Sequence, residues 1–387
     1  MMSLIRLFKS KSWRVIFSTP AQKTQFNLDL TLENIETKTI EINNSDFDEY
    51  ITKLNPTIVL FDRFMMEEQF GWRVAENCPN ALRILDTEDL QCLRGARQTA
   101  HKEKRAFTYT DLNTDLAKRE IASIYRCDLS LIISDFEVSL LTDHFNVDKS
   151  LLLHIPFMID MQDTNLSNKS YDERKHFVTI GNLRHAPNWD SILYLQQIWP
   201  KIKEKIPEAE LHIYGAYTPP KATALNNKKA GFIIKDRAES VDEVMGNARV
   251  CLSPLRFGAG IKGKFVDAMR SNTPSITTNI GAEGMTGDNN WPGLIANTVD
   301  DIAESAVNLY QDRSLWEEKS VQCSTLLENF YDQEKIANRL LDKLEFLLEN
   351  FSSHREKNFI GAMLSHHSMR STKFMSKWIE EKNKTNS

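Results

Sequence analysis

The chain alternates short apolar, β-branched runs with stretches whose apolar residues recur every three to four positions. WRVIFS (13–18), TIVLFD (57–62), LRILD (82–86), LSLIIS (129–134) and LLLHI (151–155) read as strands. Helical spacing fills 65–77, 88–105, 114–126 and 135–144 between them. Continuous apolar runs separated by amphipathic helices predict a parallel sheet covered on both faces. The polar, aperiodic stretch 156–175 interrupts this rhythm, and a linker is expected over 159–175. The pattern restarts with strands at 176–181, 210–215, 231–235, 249–254 and 274–278 and helices at 188–205, 240–247 and 262–270. Helices at 300–310, 313–329 and 333–350 follow. The expected fold class is α/β, with two doubly wound domains facing a cleft, over 1–158 and 176–350, and a tail over 351–387.

Composition narrows the function classes. A length of 387 residues exceeds one typical core and suits two domains. The net charge of −5 argues against nucleic acid as a partner, so any anion site must be local. The five cysteines lack paired or zinc-like spacing, which points to reduced thiols and a cytoplasmic protein. No signal peptide is evident in MMSLIRLF, and no apolar run reaches the length of a membrane span. The basic-leaning tail carries Met, Phe and Trp in HHSMRSTKFMSKWIEEKNK. It reads as a frayed end; the other reading is an amphipathic helix on a partner or on the inner face of a membrane.

The segment PLRFGAGIKGKFVDAM (254–269) carries the chemistry. Gly258, Gly260 and Gly263 fit the Gly-x-Gly-x-x-Gly spacing of a dinucleotide site, and Glu283 follows at the expected distance. Three features argue against that reading. The glycines follow a late strand after an intervening Pro254-Leu255-Arg256-Phe257. Glu283 sits in an IGAEGM turn rather than at a strand end. Arg256, Lys262 and Lys264 crowd the start of the next helix, as suits a diphosphate that departs with its charge.

These residues are similar to those of the retaining glycosyltransferases often called glycosyl transferases group 1, which have the two-domain GT-B architecture of facing Rossmann-like domains. The resemblance rests on GNLRHAPNWDSILYL (181–195), ELHIYG (210–215), VCLSPLRFGAGIKGKFVDAM (250–269) and TPSITTNIGAEGM (273–285). A weaker likeness runs through LFDRFMMEEQFGWRVAE (60–76) and RILDTEDLQCLR (83–94). It implies a donor domain over 176–350 and an acceptor domain over 1–158. By the same resemblance Arg256 and Lys264 neutralise the leaving diphosphate, and Gly258, Gly260, Lys262, Asp267, Arg184, Gly281 and Glu283 line the donor. Asp86, Asp89, Gln91 and Arg63 are the acceptor-side candidates, with Glu67 beside them. The implied partners are a nucleotide-sugar donor, which is a substrate rather than a cofactor, and a glycan, lipid-linked or small-molecule acceptor.

The chain also departs from that pattern. Ala259 and Asp267 stand where the family more often has two glutamates, and Gln91 where it has a histidine. The opening MMSLIRLFKSKSWRVIFSTP reads as a first helix followed directly by a second strand, so the first strand and its glycine loop are expected to be missing. A late start codon or a degenerate copy would account for this. A nucleotide-binding relative without turnover is therefore the second reading, and a nicotinamide-dependent oxidoreductase the third. No metal site is expected; DFD at 46–48 has the look of one but lies in a polar loop entering a helix.

Overall fold

The computed structural model describes residues 1–22, 28–162, 169–216 and 218–385. The first half runs α1 (Met2–Ser10), β1 (Ile16–Thr19), β2 (Glu36–Thr39), α2 (Asp46–Leu54), β3 (Ile58–Asp62), α3 (Phe64–Asn77), β4 (Leu82–Asp86), α4 (Gln91–Lys102), α5 (Asp115–Arg126), β5 (Leu129–Ile132), α6 (Asp135–Asp143) and β6 (Leu152–His154). Strands β3, β4, β5 and β6 form a parallel sheet in that order. β1 and β2 pair in parallel as a separate sheet. Helix α1 lays Leu4, Leu7 and Phe8 into the cluster holding Leu82, Ile84, Leu129 and Leu131. Each such side chain fully removed from water contributes roughly 1.5–3 kcal/mol.

The second half runs β7 (Lys175–Ile180), α7 (Ala186–Lys205), β8 (Leu211–Tyr214), α8 (Pro220–Thr223), β9 (Phe232–Ile234), α9 (Val241–Asn247), β10 (Ala248–Leu252), α10 (Gly263–Arg270), β11 (Ser275–Thr277), α11 (Asn279–Ala282) and β12 (Gly293–Ile295). Its six strands are parallel, in the order β12-β11-β10-β7-β8-β9. The chain winds outward from β7 in one direction and then from β10 in the other. This is the doubly wound order, and its reversal lies between β7 and β10, where such sheets hold ligands. Both halves are thus Rossmann-like layers, as the alternating pattern predicts.

Helices α12 (Val299–Gln311), α13 (Arg313–Phe330) and α14 (Gln333–Glu349) follow. Their starts are fixed by side-chain caps: Thr298, Asp312 and Asp332 each accept from a backbone N–H in the first turn. The chain then returns to the first half through α15 (Phe351–Lys357) and α16 (Phe359–Thr385), which packs on α3 and α5. The tail read as a frayed end is therefore a helix of 27 residues. Of the expected linker, residues 163–168 lie outside the described residues.

Several short elements escape the apolar pattern. β2 is exposed along its whole length, so no alternation marks it. α2 is short, with only Phe47 and Ile51 buried, and β12 has three residues. Helix α7 begins two residues before its expected start, at Ala186, with Pro187 in its first turn, where a missing N–H costs nothing. Asn188 lies in that turn, where its side chain meets the Asn182 carbonyl and Lys264 Nζ.

Candidate functional site

A cleft of about 730 Å³ opens at the carboxyl ends of the strands, between the two halves. One wall comes from the turns after β7 and β10 and holds Gly181, His185, Asn188, Gly258, Lys262 and Lys264, with Asp267 behind them. The other comes from the turns after β3 and β4 and holds Arg63, Asp86, Glu88, Asp89 and Gln91. Arg63, Asp86, Asp89 and Gln91 thus line the same cleft as Gly258.

Two of the expected cations face this cleft. Lys264, in the first turn of α10, directs Nζ to Asn188 Oδ1 at 2.8 Å. Lys262, at the N-cap of α10, donates from Nζ to the Gly260 carbonyl at 2.7 Å. Burial pushes each ammonium down to about 8, against the pull of Glu283 and Glu137 on Lys262. An arriving diphosphate would reverse that penalty. Asp267, one turn further on, is pushed up to about 6 by burial.

Arg256, expected beside the leaving phosphate, is not on the cleft wall. Its Nε and Nη2 bond Asp190 Oδ2 and Oδ1 at 2.9 and 2.7 Å, and its guanidinium lies 4.5 Å from the Tyr194 ring centroid. Asp190 also meets His101 Nε2 of the first half at 3.1 Å. The bidentate carboxylate and the aromatic face hold Arg256 away from the ligand space. Arg184 is exposed beyond the cleft lining, and His185 takes the place expected for it. Gly281 lies in α11, where its N–H bonds Thr278 Oγ1 at 3.2 Å and an added side chain would meet Thr277; it is a packing position.

The glycine loop is clamped to the first half by two groups that the sequence does not single out. Glu137, fully buried on α6, accepts from the Gly260 N–H at 2.8 Å and the Leu90 N–H at 3.0 Å through the same oxygen. Its other oxygen is buried with no hydrogen-bond partner. Burial pushes this carboxyl up to about 7. Gly260 has φ +62°, and a side chain there would run into Asp89, so only glycine allows this approach. Arg97, on α4, bonds Glu283 through both terminal nitrogens at 2.6 and 2.9 Å and the Gly258 carbonyl at 3.0 Å. It is sandwiched by the Phe107 and Phe136 rings. The expected roles of Gly260 and Glu283 are therefore corrected: both join the two halves, and neither faces an open ligand space.

The acceptor-side wall is acidic. Burial raises Asp86 and Glu88, and the nearby Asp62 charge adds to both. Arg63 pairs with Asp62 at 3.2 Å and Glu88 at 3.4 Å, with its backbone at φ +68°. Asp89 pairs with Arg94. The Gln91 N–H bonds Glu120 Oε1 at 2.8 Å. Glu67 is buried and bound to Arg126, away from the cleft.

Two side clusters complete the picture. Asp48 of the DFD segment pairs with Arg73 on the far side of α3, which leaves no cleft role for it. The register of β7 and β8 brings His176, Glu210 and His212 within 4.8 Å of one another at the amino ends of the strands, far from the cleft. This His-Glu-His trio is formed by pairing across strands and has no spacing signal in the sequence.

With this geometry in hand, residues 174–312 match the family described as Glycosyl transferases group 1. Among curated proteins the chain is 26% identical over 245 residues to an uncharacterised 44.6 kDa protein in the cps region of Klebsiella pneumoniae. That match covers 60% of this chain and 58% of the relative. Among solved structures, a glycosyltransferase from Rickettsia africae superposes with a TM-score of 0.69 at 14% identity, covering 90% of this chain and 94% of that one. S. aureus TarM, solved with fondaparinux, alpha-GlcNAc-glycerol and UDP, gives 0.61 at 15% identity, over 76% of this chain and 57% of that one. This chain thus spans little more than half of the Klebsiella and TarM chains. Likenesses at these identities show a shared GT-B fold.

Proposed function

We infer, from the match of residues 174–312 to the family described as Glycosyl transferases group 1, that the cleft transfers a sugar from a nucleoside diphosphate donor to a hydroxyl acceptor. The acceptor is a glycan, a lipid-linked glycan or a small molecule, and the anomeric configuration is retained. That match and the shared fold support glycosyltransferase as the class; donor, acceptor and stereochemistry belong to the proposal.

One observation carries it. Lys262, Lys264 and the start of α10 converge on a cleft at the switch point of the second sheet, opposite a wall of carboxylates. In transfer, the bond between the anomeric carbon and the diphosphate oxygen breaks. The diphosphate leaves with the electron pair, while the acceptor oxygen bonds the anomeric carbon and gives up its proton to a departing diphosphate oxygen. Charge grows on the leaving oxygens, where fixed cations and helix N–H groups act most strongly. In this reading Lys264 and Lys262 supply that stabilisation, and no metal cofactor is called for. Arg256 becomes a positioning residue that orders Asp190 and the α7 turn. Closure of the two halves would exclude water from the reacting centre.

A second reading, nucleotide binding without turnover, draws on Ala259 and Gln91 in the cleft lining, where the pattern implies acidic and basic groups. Incubating the protein with nucleoside diphosphate sugars and following released nucleoside diphosphate tests both. Turnover that Lys264→Ala abolishes supports transfer. Nucleotide binding with no release supports the second reading, and absence of both overturns the two together.

A further inference from the structure

We propose that the outward face of α16 docks the protein on an anionic lipid surface. The inference is independent of the cleft chemistry. It starts from a helix whose two faces have opposite company. Gly361, Leu364, Ser376 and Glu380 face the first half: Gly361 packs on the Tyr125 carbonyl, and Ser376 Oγ bonds Arg73 at 3.1 Å. Glu380 accepts from the Ser45 hydroxyl and N–H, which pins the far end. At 100° per residue, Phe359, Met363, Phe374 and Trp378 fall together on the opposite side.

That side exposes apolar side chains, with Arg370, Lys377 and Glu381 among them. Phe359 is 76% exposed, Phe374 64%, Trp378 59% and Met363 47%. Large aromatic side chains in a row are uncommon on a purely solvated surface. Cations flank the row. Arg370 and Lys377 lie on the same arc, and Lys382 sits 5.2 Å from the Trp378 ring centroid. Residues 359–385 hold five Lys and Arg against two Glu, in a chain whose net charge is −5. Positive charge is therefore concentrated on the helix that also exposes the aromatics. Trp and Phe at headgroup depth with Lys and Arg reaching lipid phosphates is the chemistry of an interfacial helix.

A second copy of the chain fits this face poorly. A two-fold contact would bring two copies of this net-positive face together. An anionic bilayer offers the opposite charge and an apolar layer for the rings. No helix among the described residues is long and apolar enough to cross a membrane, so contact would be along the surface.

The test is cosedimentation of the full chain with vesicles of phosphatidylglycerol and phosphatidylcholine mixed, and of phosphatidylcholine alone. Binding is expected to the anionic vesicles, weakening as salt rises. Phe374→Ser with Trp378→Ser should lower partition roughly 100-fold, from the loss of two buried rings. Because both rings are exposed, the variant should keep the wild-type circular dichroism. Arg370→Glu with Lys377→Glu retains the rings and should lose the preference for anionic lipid. No binding at low salt, or equal binding by wild type and the Phe374/Trp378 variant, overturns the proposal. So does a dimer in light scattering that the same variant dissolves without any lipid binding.

Discussion

Replacing Glu137 by Gln should flatten the dependence of stability on pH. The carboxyl is fully buried, and one of its oxygens receives the Gly260 and Leu90 N–H groups. Gln preserves that acceptor and the shape of the protonated acid. In the unfolded chain Glu137 loses its proton near the ordinary 4.5, whereas in the fold it holds it to about 7. Between these values the folded form binds more protons. Its contribution to stability is therefore largest below pH 4.5, falls as pH rises, and levels off above about 7. Multiplying that interval by 1.36 kcal/mol gives a loss of about 3 kcal/mol across it. Asp86, Glu88, Glu120 and Asp267 are also raised, so wild type will keep a slope from these groups. The difference between wild type and Glu137→Gln isolates the single carboxyl. Urea unfolding followed by tryptophan fluorescence at pH 5 and 7.5 measures it. The variant should exceed wild type by under about 1 kcal/mol at the lower pH and by about 3 kcal/mol at the higher. Parallel profiles for the two proteins would refute a buried, proton-holding clamp.

Three further outcomes follow from the same contacts. Arg97→Ala strands Glu283 and the Gly258 carbonyl at the junction of the halves and should cost about 3 kcal/mol in denaturant unfolding; a loss under about 1 kcal/mol would mean the pair is solvated. Gly260→Ala adds a side chain at φ +62° against Asp89, and should lower stability by roughly 1–3 kcal/mol in denaturant unfolding while the far-UV circular dichroism of the native protein stays unchanged. Nucleoside diphosphate binding, measured by calorimetry, should hold steady below pH 8 and weaken above it, because Lys262 and Lys264 then lose the charge the ligand needs; Lys264→Ala should remove much of that dependence, and Arg256→Ala should leave it in place.

The apolar rhythm of the chain was enough to place most strands and helices within a few residues, because each depends on neighbours along the chain. β4 matches its expected bounds, and α10 begins one residue later than expected. The same local logic put Lys262, Lys264 and Asp267 on one helix start beside the cleft. Elements without a buried stripe, such as β2, left no such trace.

What the sequence by itself determined was the layered α/β architecture and the phosphate-suited loop after β10. Periodicity and glycine spacing are written in residues a few positions apart. Tertiary structure alone decided which charges face the ligand. Arg256 is claimed by Asp190, 66 residues away; the Gly260 N–H by Glu137, 123 away; and Glu283 by Arg97, 186 away. A charged side chain or backbone N–H takes the partner that burial brings within hydrogen-bond reach. Which partner that is depends on how two separately wound sheets meet, and no local pattern records it.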